Sequence, residues 1–362
     1  MYHDQLRTRP HHGARTLGRR SGRRRSTIDD VARLAGVSKG AVSIALNGHP
    51  GVADATRARI SEAARTLSWR PSLRAHALLA SRSFALGMVI SRPPELLAAD
   101  PFFPAFIAGV ESVLASRGLA LVLQVVDGSP DAEAASYRRL AHEGRVDGVF
   151  LTDLRIDDPR FAWLTDLDLP GVAIGRPSAG GSLPWLETND REGIRAAVRH
   201  LVALGHRRIA HVGGAPGYVH SVARREVWAD ELRAHGLQPS LFAEGDFTGE
   251  GGAAATRRLL AMRQAPTAIV YANDLMAIAG MSVAIDAGRT LPDELSVVGF
   301  DDIPLAAHLR PALTTVRRDA TDWGRAAALC LVALVEGEPM PDVTLTPVIF
   351  IERASTSAPP GA

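Results

Sequence analysis

Residues 27–47 of this 362-residue chain read TIDDVARLAGVSKGAVSIALN, a stretch that predicts two short helices joined by a tight turn. Thr27 can cap the first helix, and Asp30 three residues later completes a capping box. Gly36 tolerates the positive φ that a sharp turn requires, and Ser38 can cap a second helix. The stretch is therefore predicted to form a helix-turn-helix.

The second predicted helix has one apolar face and one exposed face. The positions that can point into a small core are Ala41, Val42, Ala45 and Leu46. The positions left facing outward are Lys39, Gly40, Ser43, Ile44 and Asn47. A helix of this size fits the major groove of DNA. Spacing alone is equally compatible with an ordinary helical hairpin, so the choice depends on the rest of the chain.

The charge of the chain is divided unevenly. Residues 1–82 hold 16 Lys and Arg against 5 Asp and Glu, whereas the remainder holds 25 against 34. A basic end attached to an acidic body is typical of a polyanion-binding module joined to a separate domain. Residues 1–26 are rich in Arg and poor in large apolar side chains, and they are predicted to form a basic disordered tail.

Composition also narrows the class of protein. The sequence has no apolar run long enough to span a membrane, and its Arg-rich start lacks the apolar segment of a secretory signal. We therefore expect a cytoplasmic protein with no membrane partner, and a DNA-binding role for residues 27–47 would place it on the nucleoid. Cys330 is the only cysteine, so no internal disulfide can form. His3, His11 and His12 lack a fixed partner spacing, and we expect neither a metal site nor a cofactor.

A third helix is predicted over residues 54–67, which would close a three-helix core and make residues 27–71 one domain. Pro71 interrupts this pattern, since it disfavours a helical residue before it. A short Ala- and Leu-rich helix follows within the linker 72–82. Such a helix is too short to be stable alone, so it is either a plain linker or a hinge that orders on a partner.

Short β-branched runs alternate with amphipathic helices over residues 83–356. This alternation predicts parallel sheets with helices on both faces, arranged as two lobes with a ligand cleft at the carboxyl ends of the strands. The crossings between the lobes are predicted near residues 188–190, 315–318 and 339–342. Residues 357–362 are predicted to be a disordered tail.

Four motifs in the opening stretch resemble the start of the LacI/GalR family of bacterial transcription repressors. They are Asp30-Val31-Ala32, Ala35-Gly36-Val37-Ser38, Val42-Ser43 and Leu46-Asn47. The resemblance continues across nearly the whole chain. It implies an N-terminal all-α helix-turn-helix domain followed by an α/β two-lobed, type I periplasmic-binding-protein-like domain that binds an effector and dimerises. It also implies a homodimeric repressor on a roughly palindromic double-stranded DNA operator, with a small-molecule effector that we expect to be a sugar.

The resemblance places the DNA contacts on the second helix and on the linker. The candidate DNA-binding residues are Thr27, Lys39, Gly40, Ala41, Ser43, Ile44, Asn47, Ala75, His76 and Leu78. Lys39, the only lysine of the chain, can donate to a guanine or to a phosphate. Leu78 matches the hinge leucine that the family wedges into the minor groove. Ile44 and His76 stand where many relatives carry arginine, which leaves the operator sequence open.

The candidate effector-binding residues lie near the ends of predicted strands or match pocket positions of the family. They are Phe102, Asp153, Asp157, Arg224, Phe247, Asn273 and Asp301. Carboxylate, amide and guanidinium groups exchange hydrogen bonds with vicinal hydroxyls, and aromatic faces stack on sugar C–H groups. Asn273 could equally cap its helix, and Asp301 could serve a turn at the end of a strand.

Two other classes of protein compete with this interpretation. The glycines of residues 213–217 follow a predicted strand but lack the G-x-G-x-x-G spacing of a dinucleotide loop. The sequence also has no H-E-x-x-H or paired-cysteine motif, and we predict no catalytic residue and no enzyme. A transport-type solute-binding protein would share the two-lobed fold. The missing secretory signal and the predicted helix-turn-helix argue against that alternative.

Overall fold

The computed structural model describes residues 26–46, 50–69, 82–92, 97, 100–178 and 180–361. The chain divides into two compact units, Met1–Ser81 and Arg82–Ala362. Several predictions lie outside the described residues. They concern the basic tail over residues 1–25, the histidines at positions 3, 11 and 12, the helix after Pro71, and the DNA-contact candidates Asn47, Ala75, His76 and Leu78.

The described part of the first unit contains the predicted helix-turn-helix. Its helices are α1 (Ile28–Ala35), α2 (Lys39–Leu46) and α3 (Asp54–Thr66). The Asp30 carboxylate accepts the Thr27 backbone N–H at 2.9 Å, as expected at the start of α1. Gly36 ends α1 with φ +66°, and Ser38 Oγ accepts the Ala41 N–H at 3.2 Å at the start of α2. The buried core is formed by Val31, Ala32, Ala35, Val42, Ala45, Ile60, Ala63 and Ala64.

The second unit begins with a lobe built on a five-stranded parallel sheet in the order β2-β1-β3-β4-β5. Its elements are β1 (Ala85–Ser91), α4 (Phe102–Arg117), β2 (Ala120–Val126), α5 (Pro130–His142), β3 (Gly148–Leu151), α6 (Arg160–Asp166), β4 (Gly171–Ile174) and β5 (Trp185–Leu186). The central strands are continuous apolar runs because helices cover both faces of the sheet.

The second lobe is built on a four-stranded parallel sheet in the order β7-β6-β8-β9. Its elements are α7 (Asp190–Ala203), β6 (Ile209–Gly213), α8 (Val219–Ala234), β7 (Phe242–Glu244), α9 (Gly249–Leu260), β8 (Ala268–Tyr271), α10 (Asp274–Asp286) and β9 (Ser296–Val298). A 3₁₀ helix follows at Pro304–His308.

The chain then crosses between the lobes again. Strand β10 (Thr315–Arg317) pairs antiparallel with β11 (Ile349–Ile351), and α11 (Ala320–Glu336) lies between them in sequence. Helix α11 packs on α4 in the first lobe so closely that a side chain on Gly324 would overlap the Phe106 carbonyl. Leu345 still packs on the first lobe and Val348 on the second. The third crossing therefore falls a few residues later than the predicted 339–342.

The C-terminal segment is held against the second lobe. The backbone N–H of Ser357 donates to Ser296 Oγ at 3.0 Å, and its carbonyl lies 2.9 Å from His206 Nε2. The prediction of a disordered tail from residue 357 onward is therefore wrong at Ser357, because buried polar partners 61 and 151 residues away fix the segment. Among the described helices, none combines the length and the apolar character needed to cross a membrane.

Candidate functional site

The exposed face of α2 carries the residues predicted to read DNA. Lys39 has an exposed side chain (65%) at the first position of α2, and its Nζ lies 2.6 Å from Asp29 Oδ1 on α1. Gly40 and Ile44 are exposed as well, whereas Ala41 and Ser43 are partly buried. Because an exposed ion pair contributes little, DNA can compete with Asp29 for the ammonium group at small cost. The arrangement presents one cation and one apolar side chain on an open helix face.

The second unit contains a cleft between its lobes, at the carboxyl ends of the parallel strands. Six of the seven predicted effector residues line it: Phe102, Asp153, Arg224, Phe247, Asn273 and Asp301. Asp157 lies instead in a separate depression of the first lobe, where its N–H lies 3.4 Å from Ser178 Oγ. Its predicted place in the cleft is wrong. The segment between Asp153 and Asp157 pairs with the second lobe and so separates the two carboxylates.

Arg92, which follows β1, fixes two carboxylates on the first-lobe side of the cleft. Its Nε and Nη2 donate to the two oxygens of Asp153 at 2.7 and 2.8 Å, and its Nη1 donates to Asp100 at 2.9 Å. Burial alone would raise the pKa of Asp153, but the Arg92 guanidinium lowers it below its usual range. Asp153 is therefore a fixed anion with both oxygens already bonded.

Arg318 and Arg224 form a second charged cluster on the other side. Arg318 donates to Asp301 at 2.8 Å and to Asp190 at 3.4 Å, and Arg224 donates to Asp190 at 2.7 Å. Burial raises the pKa of Asp301 to about 6, although the two arginines act in the opposite direction. Arg224 also donates to the carbonyl of Ala272 at 2.6 Å. The guanidinium groups are thus held rigidly before any ligand arrives.

Aromatic side chains form the apolar part of the cleft. The Arg318 guanidinium lies 5.0 Å from the ring centre of Phe102 and 5.3 Å from that of Trp323. Phe247, on the second lobe, has φ +69°, and its carbonyl accepts a hydrogen bond from the Asn273 amide at 2.9 Å. The Asn273 side-chain oxygen also accepts the Met276 N–H, which confirms the capping role of Asn273. Its amide nitrogen meanwhile holds the backbone of Phe247 in position.

His220 lines the cleft without adding charge. Its ring stacks on Tyr218 at 5.5 Å and lies 5.2 Å from Phe247. Burial, together with the nearby Arg224, lowers the pKa of His220 to about 3, so the ring is neutral at physiological pH. The cleft lining therefore contains five arginines and five carboxylates, so its formal positive and negative charges cancel.

Three buried N–H donors in the cleft lining have no hydrogen-bond acceptor in the described part of the chain. They are Arg224 Nε, Arg318 Nε and Trp323 Nε1. An unpaired buried donor costs about 1–3 kcal/mol, and native proteins leave few of them. The site therefore suits a ligand that brings several oxygen acceptors.

The two lobes are also joined by backbone hydrogen bonds at the rim of the cleft. The Ile156 N–H donates to the Gly217 carbonyl at 2.9 Å, and the Val219 N–H donates to the Leu154 carbonyl at 2.8 Å. These bonds form an isolated antiparallel bridge between a first-lobe loop and the start of α8. We call this pairing the rim bridge.

Sequence reasoning missed Arg92, Asp190, Arg318, Asp100 and Trp323. Asp190 and Arg318 lie in two of the predicted lobe crossings. Because a segment that crosses between the lobes runs beside the cleft, the predicted crossings could have identified both residues. Arg92 follows a strand, as Asp153 does. Trp323 lies on α11, whose return to the first lobe no local pattern indicates.

Comparison with known proteins agrees with this architecture. Residues 27–72 match the model of bacterial regulatory proteins of the lacI family, and residues 198–356 match a periplasmic binding protein-like domain. The HTH-type transcriptional regulator CelR of Thermobifida fusca is 34% identical over 89% of this chain and 96% of its own length.

Solved structures give the same result. The complex of the transcriptional regulator CelR with cellobiose has a TM-score of 0.69 and 33% identity over 91% of this chain and 100% of that one. The lac repressor dimer bound to operator and the anti-inducer ONPF has a TM-score of 0.81 and 28% identity over 92% and 99%. This chain belongs to the lacI family of bacterial regulatory proteins.

Proposed function

We propose that this chain is a DNA-binding transcriptional repressor that acts as a homodimer on a roughly palindromic operator. A saccharide bound in the cleft controls its affinity for that operator. Family membership supports the DNA-binding role, and the structure named for a CelR–cellobiose complex supports a sugar as the effector. The effector changes operator affinity only if it binds one of two protein conformations better than the other.

The observation that carries the effector assignment is the set of three unpartnered donors in a cleft with balanced charge. Hydroxyl groups can accept from these donors and can themselves donate to the carboxylates. Phe102, Phe247 and Trp323 offer faces for the C–H side of a sugar ring. Three of the five cleft arginines, Arg92, Arg224 and Arg318, are already paired with carboxylates, so they offer little unneutralised positive charge to an anionic ligand.

On the DNA side, we propose that α2 enters the major groove and that Lys39 contacts a guanine or a phosphate. Thr27 and Ser43 suit phosphate contacts that fix the register, and Ile44 offers an apolar contact such as a thymine methyl. Asn47, Ala75, His76 and Leu78 complete the proposed interface from the resemblance to the family. DNA binding of this kind would place the protein on the nucleoid.

We infer no catalytic role for the cleft. Four of its five carboxylates are bonded to guanidinium groups, so the arrangement offers a rigid hydrogen-bonding frame rather than a carboxylate and a carboxylic acid poised for proton transfer. A transport-type solute-binding protein is the second candidate function. Such a protein needs only the two-lobed fold, so it would leave the helix-turn-helix domain without a role.

The test begins with selection of DNA sites from a random duplex pool, followed by fluorescence anisotropy with the full chain. We expect a preferred site that outcompetes bulk DNA, and an affinity for it that changes when a sugar binds. Asp301→Asn and Arg224→Met should abolish the sugar response while leaving the affinity for DNA without sugar intact. Asp157→Asn is the matched control, because Asp157 lies outside the cleft. An unchanged dose response in both cleft variants would show that the site is misassigned.

A further inference from the structure

Two adjacent carboxylates at the start of α1 have different partners. Asp30 accepts hydrogen bonds from the Thr27 N–H at 2.9 Å and from the Thr27 hydroxyl at 2.8 Å, which completes the capping box. Asp29 extends instead towards α2, where its Oδ1 lies 2.6 Å from Lys39 Nζ. Because Asp30 already caps α1, the start of that helix does not depend on Asp29.

The Asp29–Lys39 pair contributes little to the fold of the first unit. Both side chains are exposed, and an exposed ion pair stabilises a protein by at most about 1 kcal/mol. The two helices are held together instead by apolar side chains such as Val31 and Val42, both of which are fully buried. The pair therefore matters chiefly for the charge that α2 presents to DNA.

Helix α2 is electrically neutral once its partner on α1 is included. Lys39 is the only charged residue of α2, whose sequence is KGAVSIAL. At 2.6 Å, the Asp29 carboxylate neutralises the ammonium group locally. This neutrality contrasts with residues 1–82 as a whole, which hold 16 Lys and Arg against 5 Asp and Glu. The helix proposed to enter the groove thus carries none of the excess charge of its own unit.

This neutralisation affects phosphates and bases differently. A phosphate is anionic, so the Asp29 carboxylate repels it as it approaches Lys39, and the phosphate must also displace that carboxylate. The major-groove edge of guanine is uncharged and presents two acceptors, O6 and N7, to a lysine. Asp29 does not oppose such an edge by charge repulsion. The carboxylate therefore lowers the affinity of Lys39 for phosphate more than its affinity for guanine.

We propose that Asp29 is a specificity-determining residue of the DNA interface. It neutralises Lys39 towards phosphates, and so restricts the contribution of that lysine to sites where a guanine edge replaces the carboxylate. This inference rests on the proposed function, since it assumes that α2 enters the major groove with Lys39 near the base edges.

The test measures binding of the full chain to two duplexes of equal length by fluorescence anisotropy, between about 50 and 200 mM salt. One duplex carries the site that the wild type selects from a random pool, and in the other that site is scrambled. In Asp29→Asn, the released Lys39 should contact a phosphate of the scrambled duplex and free about one more counterion. The slope of log affinity against log salt concentration should then steepen by about 0.9, and the affinity should rise roughly fivefold to tenfold near 0.1 M salt. Affinity for the selected site should rise by a smaller factor, so the ratio of the two affinities falls.

Glu62→Gln is the matched control, because it removes an exposed carboxylate that pairs with Arg65 on α3 of the same unit. It changes the net charge by the same amount but leaves the Asp29–Lys39 pair intact, so the slope and the ratio should change much less. In a Lys39→Met background, Asp29→Asn should have no larger effect than Glu62→Gln, because the ammonium group has been removed.

Three results would contradict the proposal. Equal changes in Asp29→Asn and Glu62→Gln would show that only net charge matters, and would overturn the role of Asp29. A selected-site affinity that falls in Asp29→Asn, or that rises as much as the affinity for the scrambled duplex, would overturn it as well. If the wild-type chain selected no site at all, the proposed DNA-reading function would itself fail, and the role of Asp29 with it.

Discussion

Helix α2, proposed to read DNA, and the cleft, proposed to bind the effector, use charged groups in opposite ways. On α2, Lys39 is exposed and pairs with one partly exposed carboxylate, Asp29. In the cleft, Arg318 is only 10% exposed and bridges Asp190 and Asp301. The first arrangement can exchange its partner for DNA at little cost. The second is fixed, because removing one partner leaves a buried charge without compensation.

This difference means that the side chains of α2 act independently of one another, whereas those of the cleft depend on their ion-pair partners. Residues on an open helix face can be substituted one at a time without disturbing their neighbours, so we expect operator preference to depend on individual side chains such as Ile44. The cleft contains two ion-pair clusters, in which Arg92, Arg224 and Arg318 hold four carboxylates in place. We therefore expect mutations in the cleft to affect stability and effector binding together, and mutations on α2 to affect DNA binding alone.

The largest expected effect comes from Arg318→Met. Losing the guanidinium leaves Asp301 without its ion-pair partner and Asp190 with Arg224 alone, which should lower the free energy of unfolding by about 3–5 kcal/mol at pH 7. Lys39→Met should change it by less than about 1 kcal/mol, because that ion pair is exposed. Chemical denaturation of both variants measures the difference. Similar small losses in the two variants would remove the contrast between the sites.

The next largest effect concerns DNA. Lys39→Ala should weaken specific operator binding by about 1–3 kcal/mol, or roughly fivefold to 150-fold, without changing sugar affinity. Because Lys39 is the only lysine, an amine-acetylating reagent should have the same effect on the wild-type chain. The Lys39→Arg variant has no side-chain amine and is the control, since the reagent should leave its DNA affinity intact. Undiminished binding by acetylated wild-type protein would exclude Lys39 from the interface.

A smaller effect should appear as a pH dependence of the second unit. Asp274 is buried, and burial, reinforced by the charge of Asp301, raises its pKa to about 7, although the Thr315 hydroxyl acts in the opposite direction. The folded state then holds a proton that the unfolded state has already lost, so stability falls as pH rises through 7. Relative to Asp274→Asn, the wild-type free energy of unfolding should fall by about 1.4 kcal/mol between pH 6 and pH 8. Parallel pH profiles for the two proteins would contradict this assignment.

The smallest effect should come from the rim bridge. Val219→Pro removes the N–H that donates to Leu154, at the first position of α8, where proline is tolerated. Tyr218 before it is already extended (φ −81°, ψ 134°), as a residue preceding proline must be. Loss of one hydrogen bond, about 1 kcal/mol, should speed sugar dissociation roughly fivefold in stopped-flow measurements. Val219→Ala keeps the N–H, so matching rates for the two variants would show that the bridge does not hold the lobes closed.

Local sequence patterns predicted the helix-turn-helix and the alternation of strands and helices correctly. Helix α1 begins with the expected capping box and ends at the expected glycine, and α2 begins with the expected serine cap. These features depend on residues within one or two turns of each other. The third lobe crossing and the C-terminal tail were misplaced because contacts far away in the sequence decide them, such as that of Ser357 with Ser296.

The candidate cleft shows the same limit. Sequence patterns identified Asp153 and Asp301 from their positions after strands, but not that Arg92 and Arg318 neutralise them. Asp157 matched the same rule as Asp153 and nevertheless lies outside the cleft, because residues 154–156 pair with the other lobe. A position at a strand end places a side chain at the correct edge of the sheet and does not decide which way it faces.

By itself, the sequence determined that a basic helix-turn-helix is followed by two α/β lobes, since capping, periodicity and charge are local and additive properties. Only the tertiary structure decided which polar groups share the cleft and which of them are already paired. Hydrogen bonds and ion pairs form over about 3 Å, and the fold brings residues as far apart in the sequence as Arg92 and Asp153 to within that distance.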